Sequence, residues 1–135
     1  MKSPLLTLSL LSLITLATTG GCAHGLKHDP TANQAAINHV VLLTLKDPSD
    51  TDQVVKDCKE LLSQVPQVKT LWVGTPTDIG RGAEVDGNYN VGICVGFANL
   101  DDYRAYMKAP HHMEFGNRWR TSFSAQKIYD VKSQN

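Results

Sequence analysis

The chain has 135 residues, enough for one domain and too few for two of ordinary size. Thirteen Lys+Arg balance thirteen Asp+Glu, so no basic excess points to nucleic acid, and 41% hydrophobic content excludes intrinsic disorder. Three cysteines without C-x-x-C spacing support neither a disulfide-stapled miniprotein nor a structural zinc site.

Residues 1–21 read as a leader. Lys2 precedes a twelve-residue apolar run from Leu5 to Leu16 that holds seven leucines and one isoleucine. A spanning helix needs roughly 20 apolar residues, so the run reads as a secretory signal. Gly20-Gly21-Cys22 resembles the bacterial lipobox, which implies cleavage before Cys22 and a diacylglycerol thioether on its sulfur. Cleavage after Ala23, or retention of the leader as an anchor, are the alternatives. All three place the domain outside the cytoplasm, and lipidation ties it to a membrane. Residues 22–37 then form a lipidated cysteine and a flexible tether, because they are small and polar without apolar periodicity. Pro30 argues against a helix there, so His24 and His28 read as solvated linker residues, not as a metal pair.

The domain proper covers residues 38–133. A β-branched apolar run at 39–45 predicts a strand with two apolar faces, His39, Val41, Leu43 and Leu45 on one and Val40 and Leu42 on the other. Residues 50–65 predict a helix capped by Asp50 or Thr51. Val54, Val55, Cys58, Leu61, Leu62 and Val65 form its inner stripe, and Lys56, Asp57, Lys59 and Glu60 its outer face. A second strand follows at 68–74. The glycine-bearing loop at 75–88 is long enough for a lid, and its Gly80-Arg81-Gly82 lacks the G-K-[ST] of a phosphate loop. The third strand, 89–98, alternates bulky Tyr89, Val91, Ile93, Val95 and Phe97 with small residues that include Cys94. Asn99 caps a helix whose buried stripe is Leu100, Tyr103, Tyr106 and Met107. Pro110 breaks that helix, a second piece runs to about Trp119, and a last strand covers 125–132.

This order, β-α-β-β-α-β, is the ferredoxin-like α+β arrangement, with helices on one face of an antiparallel sheet. The other face is also apolar, so a second copy packed sheet to sheet, a homodimer, is expected. Cys58 and Cys94 fall on opposite faces, which disfavours a disulfide between them.

His39, Tyr106 and His112 are the candidate chemical groups. On an unbroken helix, residues six apart point about 120° away from each other. The break at Ala109-Pro110 can re-aim His112 toward Tyr106 and His39. A neutral histidine beside a tyrosine hydroxyl suits removal of a proton next to a carbonyl, with the hydroxyl steadying the enolate. Each residue also has a purely structural reading, as a core aromatic, a strand-end histidine or a polar helix residue. His112-x-Glu114 lacks a third metal ligand nearby, so no metal is expected.

The stretches NHVVLLTLKD at 38–47 and YMKAPHHMEFGNRW at 106–119 resemble the stress-responsive dimeric α+β-barrel (Dabb) family over about residues 38–132. The second stretch is similar to the pattern Tyr-x-x-His-Pro-x-His-x-x-Phe-Gly of the family's plant polyketide cyclases, which close an aldol-type ring without cofactor or metal. The resemblance implies a dimeric barrel, His112 and Tyr106 as catalytic residues, and a substrate pocket bordered by His39, Val91, Ile93, Phe115 and Trp119. Ala109 and Val91 replace histidines of the cyclase pattern, which makes the pocket less polar and leaves the substrate open. Three readings therefore stand: a module that binds a small apolar or carbonyl-containing molecule, a cofactor-independent cyclase, lyase or isomerase, and a haem-binding or cofactor-free monooxygenase barrel.

Overall fold

The computed structural model describes residues 34–134, so the expected leader, Cys22 and most of the expected tether lie outside the described residues. The elements are β1 (Ile37–Leu45), α1 (Thr51–Leu62), β2 (Thr70–Gly74), β3 (Val91–Phe97), α2 (Leu100–Tyr106), α3 (Pro110–Trp119) and β4 (Phe123–Lys132). The strands form one antiparallel sheet in the order β2-β3-β1-β4. This is the ferredoxin-like α+β fold, with its second helix split in two. Backbone pairing starts before β1: Ala36 N–H donates to Phe97 O and Ala36 O accepts from Ser133 N–H, each at 2.9 Å. Ala35 is buried.

Alternation along β1 and β3 decides where the core sits. Val41, Leu43 and Leu45 of β1, with Val91, Ile93, Val95 and Phe97 of β3, face the helices and are buried against Val54, Cys58, Leu61 and Leu62 of α1. Opposite parity makes the outer face. Register places Tyr129, Val40, Cys94 and Trp72 in one row across all four strands, where directly paired residues share a face. Trp72 is 59% exposed and Tyr129 52%, so this row is an uncovered apolar surface. Gly96 sits on the same face, and only glycine fits there. A Cβ would collide with Thr70 Oγ1 and come within 2.6 Å of Ala35 Cβ.

Three local expectations change. Asp50 makes no side-chain cap; Asp47 instead accepts from Ser49 N–H at 2.9 Å and opens a 3-10 turn, Pro48–Asp50, that runs into α1. In α2 only Tyr106 is buried, while Leu100 and Met107 are 46% and 40% exposed. With seven residues, α2 is two turns long and presents too little length to bury a stripe. Finally, Asp57 lies on an inner side of α1, not on its solvent face, and is 3% exposed.

Asp57 is buried because α3 packs beside α1 and supplies its partners. Arg118 Nη1 donates to Oδ2 at 2.8 Å, Trp119 Nε1 to the same oxygen at 3.0 Å, and Gln53 Nε2 to Oδ1 at 2.6 Å. Burial alone would raise the Asp57 pKa, but the hydrogen bonds from Arg118, Gln53 and Trp119 outweigh it and hold the carboxyl below its usual value. Asp57→Ala leaves three donors without their acceptor and is expected to destabilise the fold by about 3 kcal/mol in chemical denaturation. Because the folded pKa is depressed, the carboxylate's contribution is present above the unfolded value near ~3.9 and is lost as pH falls through the folded value. A loss below about 1 kcal/mol would show that the pairs do not hold α3 to α1.

Candidate active site

The site is assembled by the interruption between α2 and α3. Proline lacks an N–H and pushes the preceding residue into extended backbone, and Ala109 has φ −66° and ψ 137°. Pro110 then opens α3 in the first turn, where its missing donor costs nothing. The chain therefore turns between Tyr106 and His112, and their ring centroids come to 4.4 Å with the planes tilted by 45°.

Both rings border a cavity of about 220 Å³ between the helices and the inner face of β1 and β4. His39, Val41 and Leu43 of β1, with Gln126 and Ile128 of β4, supply its floor; Phe115 and Arg120 stand with His112 on the helical side. His39 is 5% exposed and its ring centroid lies 6.2 Å from that of Tyr106. Of the residues singled out from the sequence, the structure brings His39, Ile93, Tyr106, His112 and Phe115 together around this cavity. Val91 and Trp119 are placed elsewhere. Val91 is fully buried in the core, and Trp119 donates to Asp57.

Electrostatics set the protonation states. Burial pushes the His112 pKa below 6.5; the Met107 backbone carbonyl opposes this, and the nearby charges of His39 and Arg120 add to it. His112 is thus a neutral imidazole at neutral pH, and its buried Nδ1 has no hydrogen-bond partner among the described residues. Burial raises the Tyr106 pKa, helped by the neighbouring Cys58 and Tyr103, so the phenol keeps its proton. Phe97 packs against Tyr106 at a centroid distance of 5.0 Å and fixes the ring from the sheet side. Cys58, beneath them, is pushed up to about 12 by burial and stays a thiol. Cys58 and Cys94 are both free, on opposite faces of the sheet.

Two residues of the site were not singled out from the sequence as chemical groups. Asp130 pairs directly with His39 across β4 and β1, and His39 Nδ1 donates to Asp130 Oδ1 at 2.6 Å. Tyr103 donates its hydroxyl to the other oxygen at 3.2 Å. An ionised carboxylate only accepts, so His39 Nδ1 carries the proton of this bond. The signal in the sequence was the parity of Asp130 with Gln126 and Ile128, which puts an acid on the inner side of β4. The loop between β2 and β3 is not a lid over this cavity, since none of its residues borders it. Its own side chains enclose a separate pocket of about 260 Å³, and Lys127 pairs with its Asp86 at 3.1 Å. Among the described residues no three His, Cys, Asp or Glu side chains cluster as a metal site.

The profile of the stress-responsive A/B barrel domain, Dabb, matches residues 37–133. No curated protein matches the sequence at a significant level. Among solved structures, the chain resembles a dimeric ferredoxin-like protein of unknown function from Thermobifida fusca at 22% identity and TM-score 0.60, over 72% of this chain and 90% of that one. It resembles the hydroxynitrile lyase of Passiflora edulis at 18% identity and TM-score 0.61, over 73% and 94%. A variant of SnoaB, a cofactor-independent oxygenase from Streptomyces nogalater, matches at 14% identity and TM-score 0.55, over 73% and 93%. At these identities the solved structures speak for the fold.

Proposed function

The chain belongs to the stress-responsive A/B barrel (Dabb) family, and from that premise we propose that its domain is a cofactor-independent enzyme that moves a proton on a small carbonyl compound. The observation that carries this reading is the pairing of a neutral His112 with a protonated Tyr106 at 4.4 Å beside one cavity. His112 takes the proton from the carbon next to the carbonyl: the C–H bond breaks, an N–H bond forms, and the electron pair passes to the carbonyl oxygen. Tyr106 donates a hydrogen bond to that oxygen as its negative charge develops. His39, held through Nδ1 by Asp130, borders the same space as a second imidazole. A volume of about 220 Å³ lies below the range of roughly 300–1,000 Å³ typical of sites for drug-sized ligands, so the substrate is small. Two structural neighbours carry enzyme names, and one of these is described as cofactor-independent, which supports turnover over mere binding.

Deuterium uptake from D2O into small ketones and oxo acids, followed by proton NMR, tests the reaction. Wild type is expected to catalyse exchange with an acidic limb below pH 6.5, where His112 becomes protonated. His112→Ala should lower the rate by about 10²–10⁴-fold, and Tyr106→Phe should lower kcat more than it raises KM. Exchange that is unchanged in His112→Ala overturns the reading.

The outer row of Tyr129, Val40, Cys94 and Trp72 supports a homodimer joined sheet to sheet, as does the dimeric state named for the Thermobifida fusca protein. Trp72→Glu is expected to convert a sedimenting dimer into a folded monomer. A monomeric wild type at micromolar concentration contradicts the dimer.

The sequence of residues 1–22 supports export and a lipid on Cys22, and with them a location at the outside of a bacterial membrane. Radiolabelled palmitate fed to bacteria making the full chain should mark the protein and fail to mark Cys22→Ala. An unlabelled wild type contradicts the anchor.

A further inference from the structure

The four arginines of the chain do not share one fate. Arg81 pairs with Glu84, Arg104 with Asp101, and Arg118 with Asp57 and Glu114. Arg120 has no carboxylate within 4.0 Å among the described residues, although it borders the cavity that holds His112. It immediately follows α3, and its guanidinium lies back over that helix. A Cβ placed on Gly116 would sit 3.4 Å from Arg120 Nη2, which shows how closely the guanidinium lies against α3. The cavity wall contributes no Asp or Glu that could neutralise the charge. Asp130, the partner of His39, has one oxygen on His39 and the other on Tyr103. Gln126, across the opening on β4, adds a side-chain amide.

An unpaired guanidinium at the rim of a mostly apolar cavity is a fixed positive charge with a planar fork that matches a carboxylate. The same helical side carries the Tyr106–His112 pair suited to a carbonyl, deeper in the cavity than the exposed Arg120. We propose that the ligand of this cavity bears a carboxylate, held by Arg120 with Gln126 beside it, so that the substrate class is a small oxo acid and not a neutral ketone or aldehyde. This specificity rests on the reading of the cavity as a carbonyl site, and it adds the group that orients the substrate. With its carboxylate on Arg120 at the rim, an oxo acid points its carbonyl inward, toward Tyr106 and His112. A neutral ketone of the same size has nothing to fix that direction.

The test uses matched pairs, 4-oxopentanoate with its methyl ester and 2-oxobutanoate with its methyl ester, titrated calorimetrically into wild type, Arg120→Gln and Arg120→Lys. Each acid is expected to bind wild type about tenfold more tightly than its ester, and the preference should shrink as salt is raised. Arg120→Gln should bring the acid down to the affinity of the ester, while Arg120→Lys should keep part of the preference. Because Arg120 makes no ion pair within the fold, the thermal midpoints of both variants should match wild type, which separates a lost contact from a lost fold. The proposal is overturned if ester and acid bind equally, if Arg120→Gln leaves the acid's affinity unchanged, or if no acid binds. Its fate is separable from that of the proton-transfer reading. Binding of the acid through Arg120 without deuterium uptake keeps this proposal and removes the enzyme. Deuterium uptake into the ester as fast as into the acid keeps the enzyme and removes this proposal.

Discussion

The candidate site depends on one backbone constraint, the proline that divides α2 from α3. A continuous helix through residues 100–119 would aim Tyr106 and His112 about 120° apart and leave one of them facing away from the sheet. Pro110 cannot continue a hydrogen-bonded helix, and it holds Ala109 in extended backbone. The cost is a lost stretch of helical hydrogen bonding. The return is that two rings from two short helices meet at 4.4 Å over the floor supplied by β1 and β4. The same interruption fixes what surrounds them. It shortens α2 to seven residues, which leaves Leu100 and Met107 exposed, and it frees α3 to lie along α1, where Arg118 and Trp119 reach Asp57.

Local features were legible in the sequence to the degree that they depend on local rules. Alternation along 89–98 gave β3 its bulky and small faces, and Asn99 caps α2 by accepting from Asp102 N–H at 2.8 Å. The interruption at Pro110 was readable for the same reason. Features that depend on register or on helix-to-helix packing were not. Asp57 falls among charged residues in the sequence, and only the position of α3 makes it a buried acceptor. Asp130 becomes the partner of His39 because β4 pairs with β1 in one particular register, which no periodicity within β4 encodes. Val91 and Trp119, placed at the pocket by resemblance to a cyclase pattern, serve instead as core and as a donor to Asp57. Resemblance transfers positions in a chain more faithfully than it transfers the walls of a cavity.

The two faces of the sheet divide the labour. Beneath the helices, burial keeps His112 neutral, Tyr106 protonated and Cys58 a thiol, a state that suits the proposed proton transfer between neutral groups and not thiolate attack. On the other face, Trp72 and Tyr129 flank Val40 and Cys94 with little polar relief, a surface fit for a second sheet and unfit for open water. Because residues on β1 alternate between these faces, His39 serves the site while Val40 serves the proposed interface. A one-residue slip of β1 would exchange those roles.

The proposed chemistry requires Tyr106 and His112 to meet across the interruption, and proton NMR of the folded protein tests that meeting directly. Nuclear Overhauser cross-peaks between the ring protons of Tyr106 and those of His112 are predicted, as their centroid distance of 4.4 Å requires. Assigned, well-resolved resonances of both rings with no cross-peak between them would contradict it.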